Sequence, residues 1–292
     1  MNLNQLLYFK AVSETGSISR AAAELLITQP AVSKQIKALE NELGEKLFDR
    51  IGKKVFLTHA GEMLYTHVEK ILRTVDEAKT AVRDISAECS GELIIGVSDH
   101  ISIHRLPDVL KSYITAFPRV DLKLRCHRSE TILEMTGKNH VDLGVITLPK
   151  DAQNMVMIKI WKDPMTLVFV KGHPLESLQT VKLKDAVNYG MILNESDTET
   201  RRAIDNAFSL RKLRPNVTME VAYIETIKGL VKTGLGISIL PDKAVESEVK
   251  SGELGKAKIA DADISRDLGV VYLKDKFLSR PATEFLKILG SA

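Results

Sequence analysis

Residues 17–58 constrain the fold of this chain more than any other stretch. An alanine-rich run at positions 19–26 consists of residues that lose little entropy in a helix, and Ser17 stands where an N-cap residue belongs. Pro30 then provides a second helix start, because proline fits the first helical turn. The sequence therefore predicts two short helices joined by a tight turn, the second of them beginning near Gln29.

The second of these helices has separate polar and apolar faces. Its apolar residues recur at spacings of four, three and four, which places them on one stripe that we expect to face the core: Val32, Ile36, Leu39 and Leu43. The opposite face is small or polar and is positive near its start: Pro30, Ser33, Lys34, Lys37 and Asn41. Such a face is typical of a helix that enters the major groove of DNA, but any surface helix also has a polar face.

The segment that follows favours the DNA-binding interpretation. Gly44 ends the helix, and residues 47–58 alternate between apolar and polar side chains around a tip formed by Gly52, Lys53 and Lys54. This pattern predicts a two-stranded wing. Lysines at its tip would reach phosphates or the adjacent minor groove.

Residues 9–62 resemble the winged helix-turn-helix of LysR-type transcriptional regulators. The resemblance is carried by Ala-Ala-Ala-x-Leu, Gln-Pro-Ala-Val-Ser, Leu-Glu-x-x-Leu-Gly, Leu-Phe-x-Arg and Leu-Thr-x-Ala-Gly, all in order and without gaps. It implies groove contacts near the start of the second helix and backbone or minor-groove contacts elsewhere. With the exposed face described above, the candidate DNA-binding residues are Arg20, Thr28, Gln29, Pro30, Ser33, Lys34, Lys37, Lys53 and Lys54.

Lys34 departs from the pattern of the family, in which arginine is frequent at this position. Lysine lacks the bidentate fork of a guanidinium, so we expect Lys34 to contact phosphate more than a guanine edge.

A long helix is predicted from Ala60 to about Ala87. This stretch has no proline, and its only glycine is Gly61. Its apolar residues alternate at spacings of four and three: Leu64, Val68, Ile71, Val75, Ala78, Val82 and Ile85. We expect this heptad seam to pack on a second copy of the chain, so that two reading helices meet two half-sites. The alternative is that the helix packs on its own domain.

After Gly91, strand patterns alternate with amphipathic helix patterns, which predicts a parallel α/β sheet. The predicted strands lie near positions 92–98, 120–126, 141–146, 165–170, 191–193, 236–241 and 269–273. The predicted helices lie near positions 103–117, 132–138, 199–210, 225–233 and 280–289.

The motifs "SGELIIGVS", "KNHVDLGVI" and "VKTGLGISILP" are similar to the effector domain of the same family. The resemblance implies a periplasmic-binding-protein-like α/β fold with two lobes, and crossovers between them near 160–162 and 264–267. The domain organisation that we expect is a winged helix-turn-helix (1–59), a dimerisation linker helix (60–89) and an effector-binding domain (90–292). Lobe I would comprise 90–161 and 266–292, and lobe II 162–265.

Ligands of open α/β sheets lie beyond the carboxyl ends of the strands. This rule, supported by family position, indicates the following candidate effector contacts: Ser98, Asp99, His100, Ser129, Thr147, Asn194, Tyr223 and Ile224. A helix-cap or turn role is the alternative for each of them. Hydroxyl groups and helix starts favour a small organic anion, whereas Asp99, Glu130, Glu195 and Asp197 would repel one.

Catalytic and metal-binding motifs are incomplete. Gly96–His100 lacks the second glycine of a nucleophile elbow, and Gly234–Gly236 lacks the third glycine of a dinucleotide fingerprint. His100 and His104 are one helical turn apart but have no evident third ligand, so we expect solvent contact and helix capping from them. The sequence predicts neither an enzyme nor a cofactor or metal site.

The amphipathic pattern of Leu3, Leu6, Leu7 and Phe9 leads us to expect no signal peptide, and no apolar run approaches the ~20 residues that span a bilayer. We therefore expect a cytoplasmic protein that does not bind membranes. Its expected partners are operator DNA, a small-molecule effector, further copies in a homodimer or homotetramer, and RNA polymerase if it is an activator. Two alternatives stay open: a redox-responsive regulator that uses Cys89 and Cys126, and a constitutive architectural DNA-binding protein.

Overall fold

A computed structural model describes residues 1–51, 54–83 and 89–291. The chain divides into two compact units, Met1–Ala87 and Glu88–Ala292. Within the described residues, no helix is both long enough and apolar enough to cross a membrane.

The first unit is a helical domain with a small hairpin. Its elements are α1 Leu3–Thr15, α2 Ile18–Glu24, α3 Gln29–Leu43, β1 Phe48–Ile51, β2 Lys54–Leu57 and α4 His59–Arg83. Ser17 caps α2 by accepting a hydrogen bond from the backbone N–H of Arg20, and Gly44 ends α3 in the left-handed conformation. The strands β1 and β2 pair antiparallel, with Phe48 opposite Leu57, so the predicted wing is present.

The apolar stripe of α3 packs on α1, but it is one residue shorter than predicted. Val32, Ile36 and Leu39 are buried in one cluster with Phe9 of α1. Leu43 is 41% exposed, so the prediction that it faces the core is wrong. It is the last residue of α3, directly before the glycine that ends the helix.

The start of the heptad seam packs on its own domain. Val68 is fully buried in the same cluster as the α3 stripe, and Leu64 and Ile71 pack against that cluster. Val68 is therefore covered within its own domain, where α1 packs against α4, and the packing of the rest of the seam on a second copy stays a prediction. Val75 is half-buried and Ala78 is exposed, while the Val82 side chain and Ile85 lie outside the described residues.

The second unit is a two-lobed α/β domain. Its strands are β3 Gly91–Ser98, β4 Val120–His127, β5 Leu143–Thr147, β6 Met155–Val170, β7 Thr180–Val181, β8 Met191–Asn194, β9 Val217–Val221, β10 Ser238–Pro241, β11 Leu254–Ile259 and β12 Ser265–Leu273. Its α-helices are α5 Asp99–His104, α6 Pro107–Ala116, α7 Ser129–Gly137, α8 Leu183–Ala186, α9 Glu199–Ser209, α10 Ile224–Lys232, α11 Glu246–Ser251 and α12 Arg280–Gly290. Two 3₁₀ turns lie at Pro174–Ser177 and Asp242–Val245.

The main sheet is mixed, not parallel throughout. Its strand order is β4-β3-β5-β12-β6-β11-β7, and β10 also pairs with β6. The strand β3 is parallel to β4 and β5, as predicted, whereas β12 is antiparallel to β5 and β6. Strands that alternate with helices along the chain are expected to be parallel to one another, as β3, β4 and β5 are. The strand β12 instead enters the first lobe from the second, so the alternation does not predict its direction.

Two long strands connect the lobes. The sequence predicted a crossover near 160–162 and a separate strand near 165–170, but β6 runs unbroken through both. It pairs with β12 at the second predicted crossover, with Asp267 opposite Lys162. Gly269 permits this pairing, because a Cβ there would lie 2.1 Å from the Ile158 carbonyl oxygen.

Each lobe has its own core. Leu93, Tyr113 and Phe285 belong to the cluster of the first lobe, while Phe169 and Phe208 belong to that of the second. The helix predicted at 103–117 is divided into α5 and α6 at Pro107, since proline cannot continue the backbone hydrogen bonding of a helix.

Candidate functional site

The start of α3 carries the predicted groove contacts on its surface. Thr28, Gln29, Pro30, Lys34 and Lys37 are exposed, and Ser33 is half-buried. Thr28 is the N-cap residue by position, but its side chain makes no capping hydrogen bond. The first turn therefore presents backbone N–H groups together with amide, hydroxyl and ammonium side chains, which suit phosphates and base edges.

The remaining DNA-binding candidates lie on neighbouring elements. Arg20 is exposed on α2 and donates a hydrogen bond of 2.6 Å from Nη2 to the Thr15 carbonyl oxygen. Lys53 lies outside the described residues, as does the side chain of Lys54, although Lys54 begins β2.

Leu26 in the turn between α2 and α3 is a feature that the sequence pattern did not reveal. Its φ angle is 56°, in the left-handed region, and 92% of its surface is exposed. A leucine in this conformation is strained, because its Cβ approaches the following carbonyl oxygen.

All eight predicted effector residues line one cleft in the second unit. The cleft contains about 460 Å³ of empty space, part of it open to solvent, so an occupant would be small. Its predicted members are Ser98, Asp99, His100, Ser129, Thr147, Asn194, Tyr223 and Ile224. The further residues that line it are Arg128, Glu130, Thr198, Glu199, Thr200, Ala222 and Arg266.

Four helices begin at this cleft: α5, α7, α9 and α10. Thr198 caps α9 with its side chain. The N-cap residues of the other three, Ser98, Arg128 and Tyr223, make no such hydrogen bond. Uncapped helix starts direct N–H groups and the positive end of the helix dipole towards a neighbouring group, which favours an anion.

Several buried polar atoms of the cleft have no hydrogen-bond partner. Among the described residues, five buried side-chain nitrogen or oxygen atoms lack one, and four belong to cleft residues: Ser98 Oγ, His100 Nε2, Arg128 Nε and Asn194 Oδ1. Leaving such an atom unpaired costs about 1–3 kcal/mol. Their concentration in one cleft indicates a ligand site.

Arg266, which lines the cleft, shares a buried carboxylate with a second arginine, Arg105. Asp163 Oδ2 accepts hydrogen bonds from Arg266 Nε at 3.0 Å and Nη2 at 2.9 Å, and its Oδ1 accepts one from Arg105 Nη2 at 2.9 Å. One carboxylate thus pairs with two guanidinium groups, so the three side chains together carry one net positive charge. Arg266 Nη1 also donates to Thr200 Oγ1 at 2.6 Å, so the group connects both crossover strands to α9.

Two hydrogen-bonded contacts bridge the lobes beside the cleft. Arg128 donates from Nη1 to Glu195 at 2.5 Å and from Nη2 to Asp197 at 2.8 Å. His104 Nε2 lies 2.8 Å from Glu225 Oε1. The acidic residues that would repel an anion are therefore partly neutralised by Arg128.

The ionisation of the cleft residues reflects burial. Burial raises the pKa of Asp99, against the opposing charge of His127. Burial and the charges of Arg266, His104 and Arg105 lower the pKa of His100 well below its usual 6.5, so this imidazole is neutral at pH 7.

The two histidines have only part of the roles that the sequence suggested. Both residues are half-buried and keep some solvent contact, but neither is a cap residue of α5: His100 has a buried Nε2, and His104 pairs with Glu225 across the lobes. In the part of the chain that the structure describes, no group of three or more His, Cys, Asp or Glu side chains is placed to hold a metal ion.

The strand register separates the two cysteines. Cys126 lies opposite Val97, and Gly91 lies opposite Val120, six residue steps or about 20 Å along β3. Cys89 is two residues before Gly91, a reach of at most ~7 Å. The remaining gap exceeds the ~7 Å between Cα atoms that a disulfide tolerates. A bond between Cys89 and Cys126 would therefore require this strand pair to come apart.

Family models match both units. Residues 86–292 match the LysR substrate binding domain, and residues 3–62 match the bacterial regulatory helix-turn-helix protein, lysR family. A probable RuBisCO transcriptional regulator from Synechocystis sp. is 31% identical over 291 residues, covering 98% of this chain and 84% of the relative. The HTH-type transcriptional activator CmpR from the same organism is 30% identical over 287 residues, covering 98% and 94%.

Solved structures share the fold. Full-length OxyR from Pseudomonas aeruginosa has a TM-score of 0.77 at 21% identity, covering 100% of this chain and 94% of that one. Full-length CbnR in complex with its target DNA has a TM-score of 0.72 at 21% identity, covering 99% of both chains. The chain therefore belongs to the family of LysR-type transcriptional regulators, which bind operator DNA and small-molecule effectors and form oligomers.

Proposed function

We propose that the cleft of the second unit binds a small organic anion and that this binding controls the action of the protein on its operator. The observation that carries the proposal is Arg266, which lines the cleft and shares the single carboxylate of Asp163 with Arg105, while the uncapped helices α7 and α10 begin at the same cleft. Positive charge and free N–H groups together favour an anion over a neutral or cationic molecule.

The acidic residues beside the cleft are compatible with this proposal. Glu195 and Asp197 both accept hydrogen bonds from Arg128, and Glu130 Oε2 lies 3.6 Å from its Nε. An anion would meet carboxylates that already have a counter-ion. These contacts also connect the two lobes, so a ligand that disturbs them would change how the lobes close.

We further propose that α3 reads the operator in the major groove. Gln29, Pro30, Ser33 and Lys34 would face the bases or nearby phosphates, with Thr28 and Lys37 beside them. Arg20, Lys53 and Lys54 would contact the backbone or minor groove. Two copies of the chain would place two such helices on two half-sites.

The domain limits that we propose follow from these roles: 1–59 reads DNA, 60–89 joins copies of the chain, and 90–292 binds the effector. Within the last, lobe I comprises 90–161 and 266–292, and lobe II 162–265. The relatives are regulators, and we propose ligand sensing, without catalysis, for the cleft. A regulator acts where its operator is, which makes the cytoplasm its proposed location.

A thermal-shift screen of the full chain tests the effector proposal. At a concentration of 100 Kd a ligand adds about 2.7 kcal/mol of stability, or about 5–10 °C in a domain of this size. We expect organic anions to raise the melting temperature, and Ser98→Ala to reduce the rise. A response only to neutral or cationic metabolites would contradict the proposal.

Footprinting and oxidation of the full chain distinguish this proposal from its two alternatives, an architectural protein and a redox-responsive regulator. A footprint on operator DNA that no metabolite alters would favour a constitutive architectural role. A response to oxidant that disappears when Cys89 and Cys126 are both replaced by serine would favour the redox-responsive regulator, for which the strand register gives no support.

A further inference from the structure

Two side chains of the cleft combine nearly complete burial with an unused oxygen atom. Ser98 is 3% exposed and Asn194 is 5% exposed, and neither Ser98 Oγ nor Asn194 Oδ1 has a hydrogen-bond partner. Buried polar atoms in proteins are nearly always paired. A ligand that fits this cleft must therefore supply partners for both oxygens.

Asn194 is held in place from several directions. It ends β8, where it pairs with Val221 of β9, and its carbonyl oxygen accepts a hydrogen bond of 2.9 Å from Arg201 Nη1. Its Nδ2 donates to the Ala222 carbonyl oxygen at 3.4 Å. This contact uses one of the two N–H groups of the amide and fixes its orientation, while Oδ1 is the side-chain atom that is buried without any partner.

An amide oxygen only accepts hydrogen bonds. An ionised carboxylate or phosphate also only accepts, so it cannot satisfy Asn194 Oδ1. The anion that we propose for this cleft must carry a second group that donates. The serine hydroxyl is less restrictive, because it can both donate and accept.

The donor is better a hydroxyl group than an ammonium group. Arg266 lines the cleft and shares one carboxylate with Arg105, and the charges of both arginines oppose the protonation of His100. An ammonium group would meet the same repulsion as a protonated imidazole. A neutral hydroxyl would not.

We infer that the effector is a small hydroxy acid, whose anionic group lies at the uncapped helix starts while its hydroxyl donates to Asn194 Oδ1. Asn194 is then the residue that selects for the hydroxyl group. This inference rests on the proposed function and adds to it the second functional group of the ligand.

Titration calorimetry with matched acids tests the inference on the full chain. Each set contains a hydroxy acid, its deoxy analogue and its amino analogue: lactate, propionate and alanine; malate, succinate and aspartate; glycolate, acetate and glycine. We expect the hydroxy acid of at least one set to bind about tenfold or more tightly than both analogues. The deoxy analogue leaves Asn194 Oδ1 unpaired, and the amino analogue brings an ammonium group close to the positive charge of Arg266.

Asn194→Leu should reduce that preference to about twofold or less while the circular dichroism spectrum is unchanged. Asn188→Leu is the matched control: it makes the same change in the same lobe, at an exposed residue outside the cleft, and should keep the full preference. If Asn194→Leu proves unfolded, Asn194→Ala removes the acceptor with a smaller side chain for the same comparison.

The outcomes separate this inference from the proposed function. Equal or tighter binding of a deoxy acid would overturn the hydroxy-acid inference and leave the anion proposal intact. Tighter binding of an amino acid would also overturn it. If no acid of any set bound, the inference would be wrong, and if only neutral or cationic compounds bound in the thermal-shift screen, the proposed function would fail as well.

Discussion

Replacement of Asp163 by asparagine removes the carboxylate that Arg105 and Arg266 share. Asp163 is 1% exposed and accepts three hydrogen bonds from the two guanidinium groups, at 2.9–3.0 Å. Asparagine keeps the shape of the side chain but loses its charge. Two positive groups, of which Arg266 is buried, then lie close together without the counter-ion that they shared.

The expected loss of stability is large. Breaking a buried ion pair by removing one partner costs about 3–5 kcal/mol, because the remaining charge stays buried. In a domain of this size each kcal/mol corresponds to about 2–4 °C, so Asp163→Asn should lower the melting temperature of the second unit by roughly 6–20 °C.

Fluorescence of Trp161 provides the assay. It is the only tryptophan of the chain, it lies on β6 two residues from Asp163, and the guanidinium carbon of Arg105 is 5.8 Å from its ring centre. Asp263→Asn is the control, because its ion pair with Lys162 is exposed and should contribute about 1 kcal/mol or less. A fall for Asp163→Asn no larger than that of the control would refute the reasoning.

Three further predictions concern single residues. Leu26→Asn should stabilise the first unit by about 0.5–1 kcal/mol in chemical denaturation, because asparagine tolerates the left-handed conformation, whereas Leu210→Asn, at an exposed right-handed residue, should bring no gain. Lys34→Ala should weaken operator binding and lower the slope of log K against log salt by about 0.9 for each copy that contacts DNA, and an unchanged slope would exclude a phosphate contact. The lowered pKa of His100 means that the unfolded chain binds a proton below pH 6.5 that the native protein does not, so stability should fall with acidification by at most about 1.4 kcal/mol per pH unit, and His100→Gln should flatten the profile.

Local signals explain what could be predicted from the sequence. Ser17, Gly44 and the spacing of Val32, Ile36 and Leu39 determine α2 and α3 through capping and burial, which are properties of neighbouring residues. The predicted cleft residues lie together for a similar reason, since polar residues that follow parallel strands share one edge of their sheet, at β3, β4 and β5 in the first lobe and at β8 and β9 in the second.

Long-range contacts account for what could not be predicted. Val68 belongs to a regular heptad, yet α1 covers it, and no periodicity distinguishes a partner helix from the chain's own. Arg266 lay within a predicted crossover, but its place in the cleft depends on β12 pairing with β6, which brings it opposite Asp163. The strained turn at Leu26 has no signal at all in a run of helix-forming residues.

The central claim is that occupancy of the cleft controls the action of α3 on DNA. DNase I footprints of the full chain on its operator test this most directly, recorded with and without an acid that binds in calorimetry. We expect the acid to change the extent or pattern of protection for the wild-type protein and to leave it unchanged for Ser98→Ala. Identical footprints with and without an acid that demonstrably occupies the cleft would contradict the claim.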